Sequence, residues 1–521
     1  MSGLVAAAYA LRDGHDVEVL ERSDGVGGLV RSFSRQGFVF DAGPRAIGKA
    51  GMLPAMLADL GIDLPLARGA VSTGIADCVV HHDGEEGLGL WLESLRALFP
   101  ESGRAIDAIG RWARTCSRMA RYLNRVPNPL FTDVFSDPRF LLREFLPLMP
   151  GFLASVAHAA VSGAPMERAM AALAPDPGLA EMVTQHFFKG TPVNFVLGYF
   201  ENFLDYAYPL GGTGRLPEAI AAKIREGGGR IVTGFEAARI DCAARRVVDA
   251  RGEERPYDVL VWCADLASLY ARADVAGLSP GRRAAIARET TRFAPAKPGE
   301  SVFQVFLGID KAPESFGAIS RGHFIYTPSP EGLGDVRRGQ LDRLKARFSE
   351  TPRGEVLAWL SAFCRRNSYE VSIPALKDPS LAPSGQTGMA VSLLFDGGLC
   401  RLVSEAGWFE EFRQAAVEGM LDALEGSIYP DLRSGILFRD SATPLTIERG
   451  YGSAGGAITG WNMEGPVPVP RSLPGVFGAP RTAIPGVLKA GQWSYSPSGV
   501  PVAMLTGRVA ASLIRRARGS S

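Results

Sequence analysis

Near the start of the chain, the spacing of apolar residues changes from that of a helix to that of a strand. Apolar residues between Leu4 and Leu11 recur at helical spacing, and Ser2 stands where an N-cap is expected. The run Asp13-Gly14-His15 follows and predicts the end of this helix. Residues 16–21 then alternate polar and apolar side chains, which predicts a strand that ends at Glu21. The chain therefore begins with a helix, a turn and a strand that has an acidic end.

Later segments have equally clear patterns. A helix is predicted to run to Lys223, and an apolar helix is predicted to open at Val500-Pro501, where proline suits the first turn. Short strands are predicted at residues 230–234, 237–240, 257–264, 302–307, 390–394 and 486–489.

The composition excludes several classes of protein. Of 521 residues, 46% are apolar, and 56 basic side chains nearly balance 55 acidic ones, which leaves a net charge of +1. This balance argues against a nucleic-acid partner. The six cysteines are scattered without a C-x-x-C pair, which argues against a disulfide scaffold or a metal site and predicts a cytoplasmic protein. No uninterrupted run reaches the roughly 18 apolar residues of a membrane-spanning helix.

The first helix and strand match the second half of a dinucleotide-binding βαβ unit. There, the last glycine of G-x-G-x-x-G opens the helix, and an acid about 20 positions later binds the ribose hydroxyls. Gly3 and Glu21 stand at these two places. The first strand and two glycines of the motif are missing, so we expect them to lie upstream of Met1. An ordinary αβ unit without a nucleotide stays open on these residues alone.

The next segment carries a family resemblance. It begins at Arg22, contains Gly27-Gly28 and Arg31, and ends at Gly43-Pro44. This pattern resembles the first FAD-binding segment of the phytoene desaturase and amine oxidase superfamily of flavoproteins. The resemblance implies that the paired glycines let backbone amides approach the pyrophosphate and that an arginine adds positive charge there.

Two further segments resemble the same family. The run Gly491-Gln492 resembles its last FAD motif, where this pair contacts the ribityl or pyrophosphate region, and Gln492 replaces a common aspartate. Gly499 and Val500 open the following helix, whose N-terminus is implied to face the flavin's pyrimidine edge. The family's backbone contact with adenine falls at Ala237.

The resemblance implies an α/β fold with two insertions. We expect a Rossmann-like FAD-binding domain, truncated at its first strand, to be formed by residues 1–70, 205–270 and 480–521. Residues 71–204 are expected to form a helical region that faces the substrate or a membrane. Residues 271–479 are expected to complete an inserted α+β substrate domain with a mixed sheet.

The resemblance also implies a function. FAD is the expected cofactor, and the expected substrate is a hydrophobic polyene or isoprenoid, dehydrogenated by hydride transfer to flavin N5. A redox-neutral carotenoid isomerase, a saturase, a flavin amine oxidase and a truncated, non-catalytic chain stay open as alternatives. Amine oxidases of the superfamily often place a lysine near N5, and this chain has only eight lysines. Peripheral contact with a membrane follows from a lipid-soluble substrate, and the oligomeric state stays open.

No catalytic residue is assigned from the sequence. Glu448 is the only acid in the segment 443–461, which resembles the family's stretch beside the reactive face of the flavin, but an ion pair with Arg449 explains it equally well. Six aromatic residues predict either the lining of an apolar tunnel or ordinary helix core, and core is favoured for most of them. They are Phe187, Phe188, Phe195, Tyr199, Phe200 and Phe203.

Overall fold

The computed structural model describes residues 1–125, 128, 130–131, 138–174 and 176–518. Its α-helices, in chain order, are α1 Ser2–Arg12, α2 Leu53–Leu60, α3 Gly87–Leu98, α4 Gly103–Arg125, α5 Pro138–Phe140, α6 Leu146–Val161, α7 Met166–Leu173, α8 Pro177–Thr184, α9 Val193–Asp205, α10 Arg215–Glu226, α11 Leu266–Arg272, α12 Pro280–Phe293, α13 Pro313–Gly317, α14 Gly339–Ala346, α15 Arg353–Arg366, α16 Gly397–Glu405, α17 Phe409–Glu425, α18 Pro444–Tyr451 and α19 Val500–Arg518.

The strands of the described residues form six sheets. In chain order they are β1 Glu18–Glu21, β2 Ser32–Arg35, β3 Phe38–Asp41, β4 Ile47–Gly48, β5 Leu66–Arg68, β6 Val71–Ile75, β7 Cys78–His81, β8 Tyr206–Pro209, β9 Arg230–Thr233, β10 Ala237–Asp241, β11 Arg246–Asp249, β12 Glu254–Pro256, β13 Leu260–Trp262, β14 Ala273–Asp274, β15 Ser301–Ile309, β16 His323–Thr327, β17 Tyr369–Ser372, β18 Thr387–Phe395, β19 Ile436–Ala442 and β20 Val487–Lys489.

Helix α1 contacts two pairs of parallel strands, β1–β9 and β13–β20. Each pair joins segments that are far apart in the chain, as expected for a doubly wound α/β fold. Within the described residues the two pairs do not hydrogen-bond to each other. The α/β class expected from the sequence is confirmed, and the strand expected upstream of Met1 stays a prediction. Ser2 is not the N-cap, because it is the first helical residue and Met1 precedes it without a side-chain cap.

A seven-stranded sheet forms the second part of the fold, in the order β19-β15-β18-β17-β16-β6-β7. One face is apolar: Val305, Val371 and Val391 lie across it and pack against α15 and α17 in the largest hydrophobic cluster. The opposite face, called the inner face below, is mixed, because Glu370 lies between Ile325 and Ser392 on neighbouring strands. This alternation follows from the period of two in a strand.

The region expected to be helical from residue 71 begins instead with two strands. The β-branched alternation of Val71–Ile75 makes β6, which pairs with β7 and, in parallel, with β16. Helices α3, α4 and α7–α9 follow and share a core of their own around Leu95, Ile109 and Leu197.

One exposed stretch of the described residues is long and apolar enough to cross a membrane. It runs over 21 residues from Pro138 to His158, with a mean hydropathy of 1.4, and only 6% of its most apolar part is buried. Arg143 and Glu144 interrupt the apolar run, so a search for an uninterrupted run misses it. The expectation that the chain has no such helix is therefore corrected, on length and composition alone.

Candidate active site and cofactor groove

The first turn of α1 meets the end of the chain. A Cβ at Gly491 would lie 2.7 Å from the Oγ of Ser2, and the backbone there has a φ of 95°, which L side chains rarely adopt. Gly3 faces Cys263, directly after β13. Gly491 is held by a hydrogen bond that its N–H donates to the Oγ1 of Thr506 at 2.9 Å. These contacts place Gly3 and Gly491 together beside the free N–H groups of a helix N-terminus.

The paired glycines lie beside this helix end. The amino group of Met1 is 3.5 Å from the carbonyl oxygen of Gly27. Gly27 has a φ of 109°, and a Cβ there would lie 2.5 Å from the carbonyl oxygen of Val30. A Cβ at Gly28 would meet nothing within 4 Å, so its backbone borders open space. The turn therefore forms an open cradle next to the positive end of α1, which fits a pyrophosphate.

Glu21 ends β1, as the sequence predicts, and its Oε1 accepts hydrogen bonds from the N–H and the Oγ of Ser23 at 2.9 and 2.8 Å. The carbonyl oxygen of Glu21 accepts from the N–H of Phe235, two residues before Ala237, so this segment lies close to Glu21. The carbonyl oxygen of Ala237 accepts from the Nε of Arg272 at 2.7 Å. Glu21 and the Ala237 segment are thus neighbours, as a ribose and its adenine would require.

The two predicted arginines are engaged within the protein. Arg22 donates to the carbonyl oxygens of Arg449 and Gly450 at 3.1 and 2.7 Å, at the C-terminal end of α18. Arg31 forms an ion pair with Asp24 at 3.0 Å. Arg22 therefore ties the end of β1 to α18, while Arg31 lies beside the glycine turn.

The remaining predicted residues lie in two places, close to the glycine turn and at the N-terminus of α19. Gly43 lies against Leu29, and Pro44 leads directly to Arg45. The Nε2 of Gln492 donates weakly to the Oγ of Ser453 and to the carbonyl oxygen of Ala457, at 3.4 and 3.5 Å. Helix α19 begins at Val500, directly after Gly499, as predicted, and Pro501 packs against Gly48 of β4. The N-terminus of α19 therefore lies against β4.

The sequence reasoning missed a pair of cations, the buried Arg45 and the half-buried Lys377. Arg45 is 1% exposed, and its Nη1 donates to the carbonyl oxygen of Asp41, while Nε and Nη2 have no partner among the described residues. Lys377 donates to the carbonyl oxygen of Arg45 and to the Oγ of Ser372, both at 2.9 Å. Burial lowers the pKa of Lys377 to about 8. The only feature of the sequence that draws attention to Lys377 is the small number of lysines in the chain.

The inner face of the sheet carries a second polar pair. The Nε2 of His323 lies 2.9 Å from Oε1 of Glu370, but the two atoms are out of line for a hydrogen bond. The side chain of Glu370 keeps 34% of its surface exposed, although β17 lies between two other strands. Burial acts to raise the pKa of Glu370, but His323 and Arg45 outweigh it and lower this pKa to about 2. An ionised carboxylate therefore faces unfilled space at the inner face.

Aromatic side chains from α9, from the segment before it and from the start of β8 lie over the same face. The ring of Tyr206 stacks on His323 with centroids 5.6 Å apart, and its hydroxyl donates to that of Tyr199 at 2.5 Å. The ring of Tyr199 also contacts Phe187 and Phe203 edge to face and Phe195 in a tilted arrangement. The ring centroids are 5.2 to 5.8 Å apart. We call these five rings the aromatic row.

The six aromatic residues singled out in the sequence therefore divide into two groups. Phe203 is fully buried, and Phe200 packs against Trp91 and His82 in the helical core. Phe187, Phe195 and Tyr199 stay half-buried within the aromatic row, while Phe188 is half-buried outside it. Phe187, Phe200 and Phe203 thus belong to or pack against hydrophobic clusters, as the core interpretation predicts, and the tunnel lining stays a prediction.

Glu448 has a structural role. Its carboxylate accepts from Arg401 at 2.8 Å, and not from Arg449, and it also accepts from the N–H of Gly455 at 3.1 Å. The carboxylate therefore fixes the glycine-rich segment that follows α18.

The sequence matches the family described as flavin containing amine oxidoreductase over residues 1–357. The chain belongs to this family. Together with the pyrophosphate cradle and the neighbouring Glu21, this membership identifies FAD as the cofactor. No curated protein sequence matches the chain.

Solved structures of flavoenzymes share the fold of this family member. An oxidoreductase from Methanosarcina mazei aligns with a TM-score of 0.59 and 16% identity, over 99% of this chain and 98% of its own. Cyclohexylamine oxidase from Brevibacterium oxydans aligns with a TM-score of 0.55 and 14% identity, over 99% and 97%. Reduced UDP-galactopyranose mutase aligns with a TM-score of 0.50 and 11% identity, over 99% and 92%. At these identities the likeness concerns the fold alone.

Proposed function

We propose that this protein is an FAD-dependent oxidoreductase that dehydrogenates an apolar, polyene-type isoprenoid. The observation that carries this proposal is the aromatic row, which lies over the inner face of the sheet with Phe187, Phe195, Tyr199 and Tyr206 only half-buried. Half-buried rings in the interior offer an apolar surface that an extended hydrocarbon would cover.

Bound FAD supplies the hydride acceptor, and the protein holds and shields it. The turn at Gly27-Gly28 and the first turn of α1 would hold the pyrophosphate, and Glu21 would hold the ribose. The aromatic row would bind and orient the substrate and exclude water. Lys377 is half-buried at this site, and burial lowers its pKa to about 8, so it would be able to accept or return a proton near neutral pH.

A membrane partner belongs to the same proposal. Helix α6 and the turn before it expose Leu142, Leu146 and Leu153, and α6 contacts α4, which in turn contacts the helix of the aromatic row. A lipid-soluble substrate would need such an apolar surface to leave a bilayer. We therefore propose peripheral contact with a membrane through α6.

Anaerobic flavin reduction tests the proposed function. FAD-loaded protein is mixed with a panel of polyenes and amines in the absence of oxygen, and the absorbance of oxidised flavin is followed. Bleaching by a polyene supports dehydrogenation. Isomerised polyene without bleaching would favour the redox-neutral isomerase, and bleaching by amines alone would refute the proposal.

Amine oxidation is the second candidate, and Glu370 favours it. An ionised carboxylate at the inner face is suited to hold an ammonium group, whereas an uncharged polyene gains nothing from it. The variant Glu370→Gln separates the two candidates. We expect it to raise the Michaelis constant for an amine at least about tenfold, since it removes a charge-assisted contact, and to leave that for a polyene within about twofold.

A further inference from the structure

A cleft separate from the cofactor groove lies beside the strand pair β13–β20, on the side away from α1. It is bordered by α12 on one side and by residues 467–470 and 478–483 on the other, and its volume is about 810 Å³. This volume lies in the range of small-molecule sites. Lys489, the last residue of β20, pairs with Trp262 and packs toward Phe293, whereas Gly491 turns toward Ser2 and the cofactor groove. The cleft is therefore separate from the groove for FAD.

The ammonium group of Lys489 borders this cleft without a polar partner. The residue is 4% exposed, and its Nζ lies 5.2 Å from the ring centroid of Phe293. Among the described residues, no side chain or carbonyl oxygen forms a hydrogen bond or an ion pair with it. A buried charge without a partner is costly, and buried charges in proteins are nearly always paired.

The one carboxylate of the cleft is already engaged. The Oε2 of Glu289 accepts from the N–H of Ala483 at 2.6 Å, and its Oε1 lies 3.6 Å from Arg292. Burial lowers the pKa of Lys489 to about 8, so the group is still mainly a cation at neutral pH. Glu289 therefore leaves the charge of Lys489 largely uncompensated.

The rim of the cleft adds further positive charge. Arg288, Arg292 and Arg481 border it with exposed side chains, so four cations face one carboxylate. Guanidinium groups donate two hydrogen bonds at once to oxyanions. An excess of three positive charges matches a doubly charged phosphate better than a single carboxylate.

We propose that this cleft binds a phosphate-bearing small molecule, whose phosphate accepts from Lys489 and from the arginines of the rim. The rest of the ligand lies along the apolar wall formed by Pro468 and Val469. The site is independent of the reaction proposed above, because it shares no residue with the cofactor groove or the inner face.

Binding calorimetry on FAD-loaded protein tests this site, since bound FAD keeps the cofactor's own pyrophosphate cradle filled. Inorganic phosphate and adenosine monophosphate are titrated at constant ionic strength. We expect both to bind: tighter binding of the nucleotide would assign the site to phosphate esters, and equal binding to the free ion. Absence of binding by both probes would overturn the proposal.

Two variants locate the binding. Lys489→Met keeps the aliphatic volume and is expected to raise the dissociation constant for phosphate at least about tenfold. Arg481→Ala removes only an exposed side chain, so it tests the site even if the first variant does not fold, and is expected to raise the constant about threefold. The control Lys223→Met changes a partly exposed lysine on α10, outside the cleft, and is expected to bind as wild type does. Wild-type affinity in every folded variant would refute the site.

Discussion

At Gly491 the backbone conformation and the space available both require glycine. We expect Gly491→Ala to raise the dissociation constant for FAD at least about tenfold. The alanine would have to keep a positive φ, and its methyl group would displace Ser2 in the first turn of α1. Fluorescence titration of apoprotein with FAD measures this. The control is Gly89→Ala in α3, where a Cβ meets nothing within 4 Å. Equal affinity in both variants would show that this turn does not shape the cofactor site.

His82 makes the stability of the protein dependent on acidity. Its Nε2 lies 2.9 Å from the Oγ1 of Thr73, the residue is 2% exposed, and burial, with help from His81, lowers its pKa to about 4. The unfolded chain, with an ordinary pKa near 6.5, takes up the proton first. Between pH 6.5 and pH 4 the free energy of unfolding therefore falls, by about 3 kcal/mol from this residue.

Urea unfolding at several pH values within this range measures the effect. We expect His82→Gln to flatten the decline, because glutamine stays neutral and can still bond to Thr73. The two proteins are compared by the slope of their free energy of unfolding against pH, so a loss of stability that is the same at every pH does not affect the comparison. His15→Gln serves as the matched control, and a slope for His82→Gln as steep as that of wild type would contradict the assignment.

At the scale of elements, the exposed helix α6 together with the helical turn before it, which carries Leu142, has the clearest consequence. We expect the double variant Leu142→Glu/Leu153→Glu to lower the partition of the protein onto liposomes at least about tenfold, since each leucine is more than 60% exposed and contributes about 1.5–3 kcal/mol when buried in lipid. Co-sedimentation measures the bound fraction. Leu437→Glu on β19 is the control, because this leucine is 49% exposed and lies on another element. Unchanged sedimentation of the double variant would reject α6 as the contact.

Elements with a clear local period follow the sequence closely. Helix α1, strand β1 and the start of α19 at Val500 agree with their predicted bounds to within about two residues. Strands β6 and β7 were missed, because Val71–Ile75 is short and lies ahead of long helical patterns. A five-residue segment becomes a strand only when β16 is there to pair with it.

At the scale of the whole molecule, the cofactor groove joins both ends of the chain to its middle. Ser2 meets Gly491, and Glu21 meets Phe235, so FAD bound in the proposed groove would contact segments that are far apart in the chain. We expect FAD at a hundredfold excess over its dissociation constant to stabilise the fold by about 2.7 kcal/mol, measured as a rise in melting temperature. FMN, which lacks the adenylate, is the control and is expected to stabilise less. A larger rise in melting temperature with FMN would show that the region around Glu21 does not bind the adenylate half of FAD.

The class of the fold and the local structure of the predicted cofactor segments follow from the sequence alone. Glycine turns, helix starts and the acid at the end of β1 are local signals, since backbone conformation and capping depend on a few neighbouring residues. This is why the turns at Gly27 and Gly491, the end of β1 at Glu21 and the start of α19 at Val500 follow from the chain alone, while their contacts with FAD stay a prediction.

Only the tertiary structure decided the chemistry of the interior. Arg45 and Lys377 are far apart in the chain, as are His323 and Glu370, and Lys489 differs from other lysines only in being buried without a partner. These groupings depend on which strands pair, in which register, and on what covers each face. Such contacts are non-local, so no short pattern encodes them.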